Sequence, residues 1–158
     1  MPSLTEWRVP PANQPRPGDY GFDLERTLSS VVGLHSIIPQ DAFSAETLGT
    51  ERAGNGVLID DGLVLTIGYL ITEAEAVWLH RGDGRVVEGH ALGFDFESGF
   101  GLVQALGDLE LDPLPLGSSA AAAVGDRVVV GGAGGRTRSV ASHIAAKQEF
   151  AGYWEYLL

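Results

Sequence analysis

The side chains of this chain that are best suited to proton transfer near neutral pH are its four histidines, because a free imidazole titrates at about 6.5. They are His35, His80, His90 and His143. No cysteine is present, so disulfides, thiolate zinc sites and a cysteine nucleophile are all excluded. A lone histidine in or beside a strand is more often a surface or hydrogen-bonded residue than a base. None of the four therefore predicts an active site by itself.

Two of these histidines, His80 and His90, flank one predicted hairpin and could come close to each other. A zinc site built on them would still need carboxylate or further imidazole ligands. Asp83 and Glu88 lie near them in sequence, but nothing in their spacing is typical of a metal-binding motif. We therefore predict no metal site and no cofactor.

Residues 131–137 contain four glycines and superficially resemble a phosphate-binding loop. The segment lacks the Gly-Lys-Ser/Thr ending of such loops, and no helix signal follows it. A glycine-rich turn between strands is the better interpretation. The tripeptide at residues 81–83 matches an adhesion motif, but a tight turn at Asp83-Gly84 accounts for it without a receptor.

The elements around these residues are short runs rich in β-branched side chains, separated by turn signals. Residues 56–66 form two such runs around Asp60-Asp61-Gly62, which predicts a β-hairpin, and residues 76–91 repeat the pattern around Asp83-Gly84. Sustained helical periodicity is almost absent, so the pattern favours an all-β barrel. Further strands are predicted within residues 30–38, 101–105, 126–131, 139–150 and 153–158.

Twenty-one acidic residues against ten basic ones leave a formal net charge of -11. Such a charge repels phosphate backbones and anionic lipids, so we predict neither nucleic acid nor membrane as a partner. Residues 1–19 carry five prolines and no apolar stretch of the signal-peptide type. No later run approaches membrane-spanning length. A cytoplasmic protein is expected.

Three segments in an uninterrupted order resemble the trypsin-like serine proteases of the HtrA/Deg type. Residues 54–66 are similar to the Gly-Ser-Gly hairpin of that family, which ends in Leu-Thr, and residues 81–89 are similar to its Asp-Gly-Arg hairpin. Residues 114–131 resemble its Pro-Leu-x-Leu-Gly-Ser and Val-Gly-Asp segments. The resemblance implies a double β-barrel in which the first barrel is complete and the second is only begun.

The domain boundaries implied in this way are four. Residues 1–25 form a proline-rich extension, residues 26–111 the first barrel, residues 112–125 a linker, and residues 126–158 the first strands of the second barrel. A second barrel of this type needs about six strands, and this chain has signals for about three. We therefore predict that a second polypeptide of about 70–120 residues, the C-terminal fragment of the same protein, completes it. Its inner face would include Val128, Val130, Ile144, Phe150, Tyr153, Trp154 and Tyr156.

The same resemblance identifies two departures at positions that carry catalysis in the family. The Leu-Thr of the family's first hairpin runs into Asn-Asn-His-Val, whose histidine is the general base, and Tyr69 stands at that position here. Phenols titrate at about 10 and make poor bases at neutral pH. Gly99 stands where the family has the aspartate that orients the histidine. Asp95 and Glu97 are no obvious substitutes, because their side chains leave the chain in other directions.

The nucleophilic serine of the family lies in a Gly-Asn-Ser-Gly-Gly context that this sequence does not contain. The resemblance therefore implies a catalytically inactive module, a pseudoprotease, that acts as a binding or structural subunit for its second fragment or for another protein or peptide. Two alternatives remain open at this point. One is a serine-type hydrolase with an unorthodox base, or one that cuts itself during maturation, and the other is a sensor or chaperone-like protein that binds unfolded segments.

Overall fold

A closed antiparallel barrel of six strands forms the body of the molecule, which a computed structural model describes for residues 7–148. The strands follow the order β1-β2-β3-β6-β5-β4 around the barrel. A separate two-stranded sheet pairs β7 with β8. The predicted all-β class and the complete first barrel are confirmed. The strands are β1 Val31–Ile37, β2 Glu51–Asp60, β3 Leu63–Ile67, β4 Ala76–His80, β5 Val86–Phe94, β6 Phe100–Ala105, β7 Arg127–Val130 and β8 Val140–His143.

Among residues 7–148, helical structure is confined to short segments outside the strands. The α-helices described there are α1 Leu24–Ser29 and α2 Ala45–Leu48. The same part of the chain has five short 3-10 helices, at Pro11–Asn13, Pro17–Asp19, Gly68–Leu70, Ser119–Ala121 and Gly135–Arg138. Within residues 7–148, no helix is both long and apolar enough to cross a bilayer.

The barrel closes because β1 pairs with β2 on one side and with β4 on the other. Alternate side chains of each strand point inward, as the two-residue period of a strand requires. Leu34 of β1 therefore lies opposite Leu79 of β4, and both are almost completely buried. The core they belong to also contains Val32, Leu58, Val64, Leu70, Ile71, Val77, Val87, Val103 and Leu109.

Both predicted hairpin turns are present, and each places a glycine where the backbone adopts positive φ. Gly62 has a φ of 63° between β2 and β3, and Gly84 has a φ of 92° between β4 and β5. Strand β2 begins at Glu51, five residues before the run that predicted it. Its first half is polar or glycine-rich, and pairing with β1 from Ile37 opposite Glu51 holds it extended. Tertiary pairing here overrides weak local propensity.

The second sheet is attached to the barrel through the connection between its two strands. The Ala133 N–H donates to the Asn55 side-chain oxygen of β2 at 3.0 Å. The N-terminal arm reaches the same connection, because the Val9 N–H donates to the Thr137 carbonyl oxygen at 2.8 Å and Val9 is buried. The strand predicted within residues 139–150 is observed only as β8, and the strand predicted within residues 153–158 lies outside the described residues.

Candidate functional site

The turn that carries Tyr69 follows β3 directly and is held from several sides. Tyr69 lies in the 3-10 helix Gly68–Leu70, is half-buried, and packs against the barrel core. The Arg52 guanidinium donates to the Tyr69 carbonyl oxygen at 2.7 Å, and the Ser36 hydroxyl donates to the Leu70 carbonyl oxygen. The Thr72 hydroxyl donates to the Gly68 carbonyl oxygen at 2.9 Å. The backbone of this turn is therefore fixed by side chains from β1, β2 and the following loop.

The position of Gly99 lies in direct contact with this turn. The Gly68 N–H donates to the Gly99 carbonyl oxygen at 2.7 Å. Gly99 ends the turn between β5 and β6, where its own N–H donates to the Asp95 carbonyl oxygen at 2.8 Å and its φ is 76°. The two positions that the resemblance assigns to the catalytic histidine and aspartate are thus neighbours in space. One position carries the phenol of Tyr69, and the other, Gly99, has no side chain beyond a hydrogen atom.

The Asp95 carboxylate, four residues before Gly99, takes part in the turn itself. The Ser98 N–H donates to the Asp95 carboxylate at 2.9 Å. Hydrogen bonds from Ser98, its hydroxyl first and then its N–H, hold the pKa of Asp95 below its usual range. Asp95 and Glu97 are both exposed. A carboxylate with a lowered pKa is a weaker base, so Asp95 is poorly suited to take a proton from a hydroxyl.

Three phenylalanines, Phe94, Phe96 and Phe100, lie beside this pair of turns and were not predicted as site residues. The rings of Phe94 and Phe96 meet edge to face, with centroids 4.8 Å apart. Phe96 is 73% exposed and Phe100 54% exposed. A methyl group at Gly68 would lie 3.0 Å from Phe94 Cβ, so the turn from β5 to β6 abuts the Tyr69 turn. This β5–β6 turn, residues 94–100, is the aromatic hairpin. Their spacing around a tight turn could have predicted an exposed aromatic surface, because successive side chains of a strand point to opposite faces and only some of them can be buried.

The histidines lie apart from this site and from one another. His80 pairs with Val86 across the β4–β5 hairpin. His90 lies four residues beyond Val86 on β5, which at about 3.3 Å per residue places it about 13 Å from Val86 along the strand. The expectation that these two could come close was wrong, because the strand register separates them. His35 lies on β1 with its Nε2 3.9 Å from a Glu51 carboxylate oxygen, and His143 lies on β8 opposite Arg127. Within residues 7–148, no three histidine, aspartate or glutamate side chains are grouped as metal ligands.

A buried arginine joins the Tyr69 turn to the loop between β1 and β2. Arg52 is only 4% exposed, and it also donates to the carbonyl oxygens of Thr72 and Gly49 and to the Ser44 hydroxyl. Burial lowers the pKa of Arg52, and the nearby Glu73 carboxylate offsets part of this shift. A charged group buried this deeply is tolerated because four hydrogen bonds engage its five N–H donors.

The sequence model of the trypsin-like peptidase domain matches residues 54–156, which is most of the chain. The chain belongs to the trypsin-like peptidase domain family. Among 249 matching chains of solved structures is the HtrA-type protease AlgW with a tripeptide, at a TM-score of 0.61 and 19% identity. The match covers 78% of this chain and 38% of that one. At this identity the likeness shows the fold alone. No curated protein sequence matches the chain.

This trypsin-like domain therefore has one barrel that is closed and a second that is only partly present among residues 7–148.

The glycine-rich segment forms the connection between β7 and β8, as predicted. The buried Ser139 stabilises it, because the Ser139 hydroxyl donates to the Gly135 carbonyl oxygen at 2.9 Å and accepts from the Gly132 N–H at 3.3 Å. Gly132 is required by close approach, since a methyl group there would lie 2.5 Å from the Arg138 carbonyl oxygen.

Proposed function

We propose that this trypsin-like domain is proteolytically inactive and acts as a binding or structural module. The contact between the Tyr69 turn and Gly99 is the observation that carries the proposal. Trypsin-like hydrolysis needs an imidazole to take the serine proton and a carboxylate to orient that imidazole. The two backbone segments held together here carry Tyr69 and Gly99, whose side chains offer neither an imidazole nor a carboxylate.

The backbone at Gly99 supports the same conclusion. Its φ of 76° lies in the left-handed region, which glycine adopts without the steric penalty that other residues meet. Aspartate enters this region less easily than glycine, although more easily than most other residues. Restoring the carboxylate by Gly99→Asp would therefore carry a backbone cost and would still leave the imidazole missing.

The aromatic hairpin beside these turns favours a binding role. Phe96 and Phe100 expose more than half of their surface next to the Tyr69 turn, and Leu92 of β5 is 54% exposed. Contiguous exposed apolar side chains commonly mark surfaces that another polypeptide covers. An apolar segment of a partner would remove these rings from water, which is favourable by roughly 25 cal/mol per Å² of apolar surface.

The first prediction concerns catalysis by the full-length protein. We expect no labelling by a serine-directed fluorophosphonate probe and no turnover of casein above a buffer blank, because the site lacks a general base. Tyr69→Phe and Asp95→Asn should leave both signals unchanged. An active HtrA-type protease, treated in parallel, shows that the probe and the casein are competent. Labelling of the wild type that disappears in Tyr69→Phe would favour the alternative of a hydrolase with an unorthodox base.

We also propose that a second polypeptide, the C-terminal fragment of the same protein, supplies the remaining strands of the second barrel. Strands β7 and β8 pair only with each other among residues 7–148, and Val130 is 60% exposed. A two-stranded ribbon of four-residue strands is marginal alone, and its unpaired edges accept further strands readily. Strand addition would satisfy these edges and bury the valine.

The second prediction tests this completion on protein purified from its native host. Intact mass spectrometry after size exclusion should find this chain in equimolar amount with a fragment of about 70–120 residues. Val130→Asp should release the fragment, because a carboxylate would be buried at the new contact. Val124→Asp, at a valine 62% exposed in the linker, is the matched control and should not release it. A single, stably folded 16.7 kDa monomer would contradict the proposal.

A further inference from the structure

The most exposed large apolar side chain among residues 7–148 lies far from the Tyr69 turn in sequence, in the loop between β1 and β2. Phe43 is 96% exposed, and Leu48 in the same loop is 40% exposed. This loop, residues 38–50, is the Phe43 loop. A phenylalanine held almost wholly in water gains nothing for folding. Such residues are frequent as anchors of protein interfaces.

The backbone on either side of Phe43 is fixed to the barrel. The Glu73 carboxylate accepts from the Phe43 N–H at 3.2 Å and from the Ser44 N–H at 2.7 Å. Arg52 holds the other side, because it donates to the Ser44 hydroxyl at 2.7 Å and to the Gly49 carbonyl oxygen at 3.3 Å. The ring is therefore presented from an ordered loop, and binding through it would require little further ordering.

An open depression of about 610 Å³ lies beside the ring. Its lining includes the side chains of Asp41 and Glu46 and the hydroxyl-bearing residues Thr47 and Thr50. Residues 38–50 contain no lysine or arginine. The nearest cation described, the Arg52 guanidinium, is buried beneath the loop and bonded to Ser44 and Gly49, so it does not line the depression. The depression thus combines an aromatic wall with negative charge and hydroxyl oxygens.

We propose that the Phe43 loop docks an arginine-bearing segment of a partner protein. A guanidinium plane can stack on the phenylalanine ring while its N–H groups donate to the carboxylates of Asp41 and Glu46. A lysine ammonium makes the charge contact but not the planar stacking. Anionic lipids and nucleic acids are repelled by the same carboxylates. The surface involves none of the residues on which the proposed function rests, so either proposal can fail alone.

The third prediction uses a defined probe, an end-blocked pentapeptide that alternates arginine with leucine. Titrated into the full chain and followed by amide NMR shifts, it should cause saturable changes in residues 41–47. It should bind about fivefold more tightly than the same peptide with lysine, because lysine lacks the stacking contact. The glutamate counterpart should not bind. The apparent affinity should fall as salt rises, since the contacts are partly ionic.

Two variants decide the result. Phe43→Ser should weaken the arginine peptide about fivefold without affecting the fold, because the ring makes no buried contact. Asp41→Asn combined with Glu46→Gln should weaken it by a similar factor at low salt. Leu116→Ser, at another exposed apolar residue, is the matched control and should bind normally. Equal binding of the arginine and lysine peptides, shifts spread over the acidic surface, or unchanged affinity in Phe43→Ser would overturn the proposal.

Discussion

Replacement of Arg52 by methionine is expected to lower the free energy of unfolding by about 2–4 kcal/mol, because buried acceptors are left without a donor. Arg52 is 4% exposed and donates hydrogen bonds to three carbonyl oxygens and one hydroxyl. Methionine fills much of the volume but donates nothing, so acceptors in both the Phe43 loop and the Tyr69 turn lose their partner. A buried acceptor without a donor carries its full desolvation penalty.

Urea unfolding followed by circular dichroism measures this loss. The matched control is Arg85→Met, because the Arg85 guanidinium lies 2.6 Å from a Glu110 carboxylate oxygen and its side chain is 39% exposed. Partly exposed ion pairs contribute little, so the control should change stability by at most about 1 kcal/mol. Amide exchange should also accelerate at residues 70–72 in the Arg52 variant alone. Equal effects of the two substitutions would contradict the assigned role of Arg52.

Truncation of Leu79 to alanine is expected to lower the free energy of unfolding by about 2–5 kcal/mol. Leu79 is completely buried in β4, where it lies between Leu34 of β1 and Val87 of β5. Six strands converge on this core, so neighbouring backbone has little freedom to close the cavity that the truncation leaves. The loss therefore includes the cavity as well as the transfer of the side chain.

The control for this prediction is Leu92→Ala on β5, at a leucine that is 54% exposed. It should change stability by about 0.5 kcal/mol or less. Both variants should unfold in one transition with the slope of the wild type, because neither alters the surface exposed on unfolding. A Leu79 variant as stable as the Leu92 variant would show that the barrel interior is not packed as the structure describes.

Much of the barrel could be predicted because its signals are local. The glycines at 62 and 84 mark turns with positive φ, and the apolar runs that flank them alternate as half-buried strands do. The first half of β2 was not predicted because Glu51, Gly54 and Asn55 are poor strand formers in isolation. Their extended conformation depends on hydrogen bonds to β1, and no pattern within residues 51–55 indicates that pairing.

The candidate site also has features that follow from local sequence and features that depend on strand pairing. The resemblance of ordered motifs along the chain implies that Tyr69 and Gly99 stand at catalytic positions, and both this correspondence and the loss of chemistry remain proposals. Three further features follow from strand register. They are the contact of the two turns through Gly68, the packing of the aromatic hairpin against the Tyr69 turn, and the burial of Arg52. No local pattern predicts whether a charged residue in a strand faces water or a set of backbone oxygens.

Residue types can be read directly from the chain: no thiol, four histidines, and a tyrosine and a glycine at the positions that we propose to match the family's base and its orienting carboxylate. Which of these residues meet depends on how the strands pair. The tertiary structure separates His80 from His90 by register and joins the turns of Tyr69 and Gly99 by one backbone hydrogen bond. Residue type is a local property, whereas proximity depends on barrel closure, which is set by pairings between strands far apart in the chain.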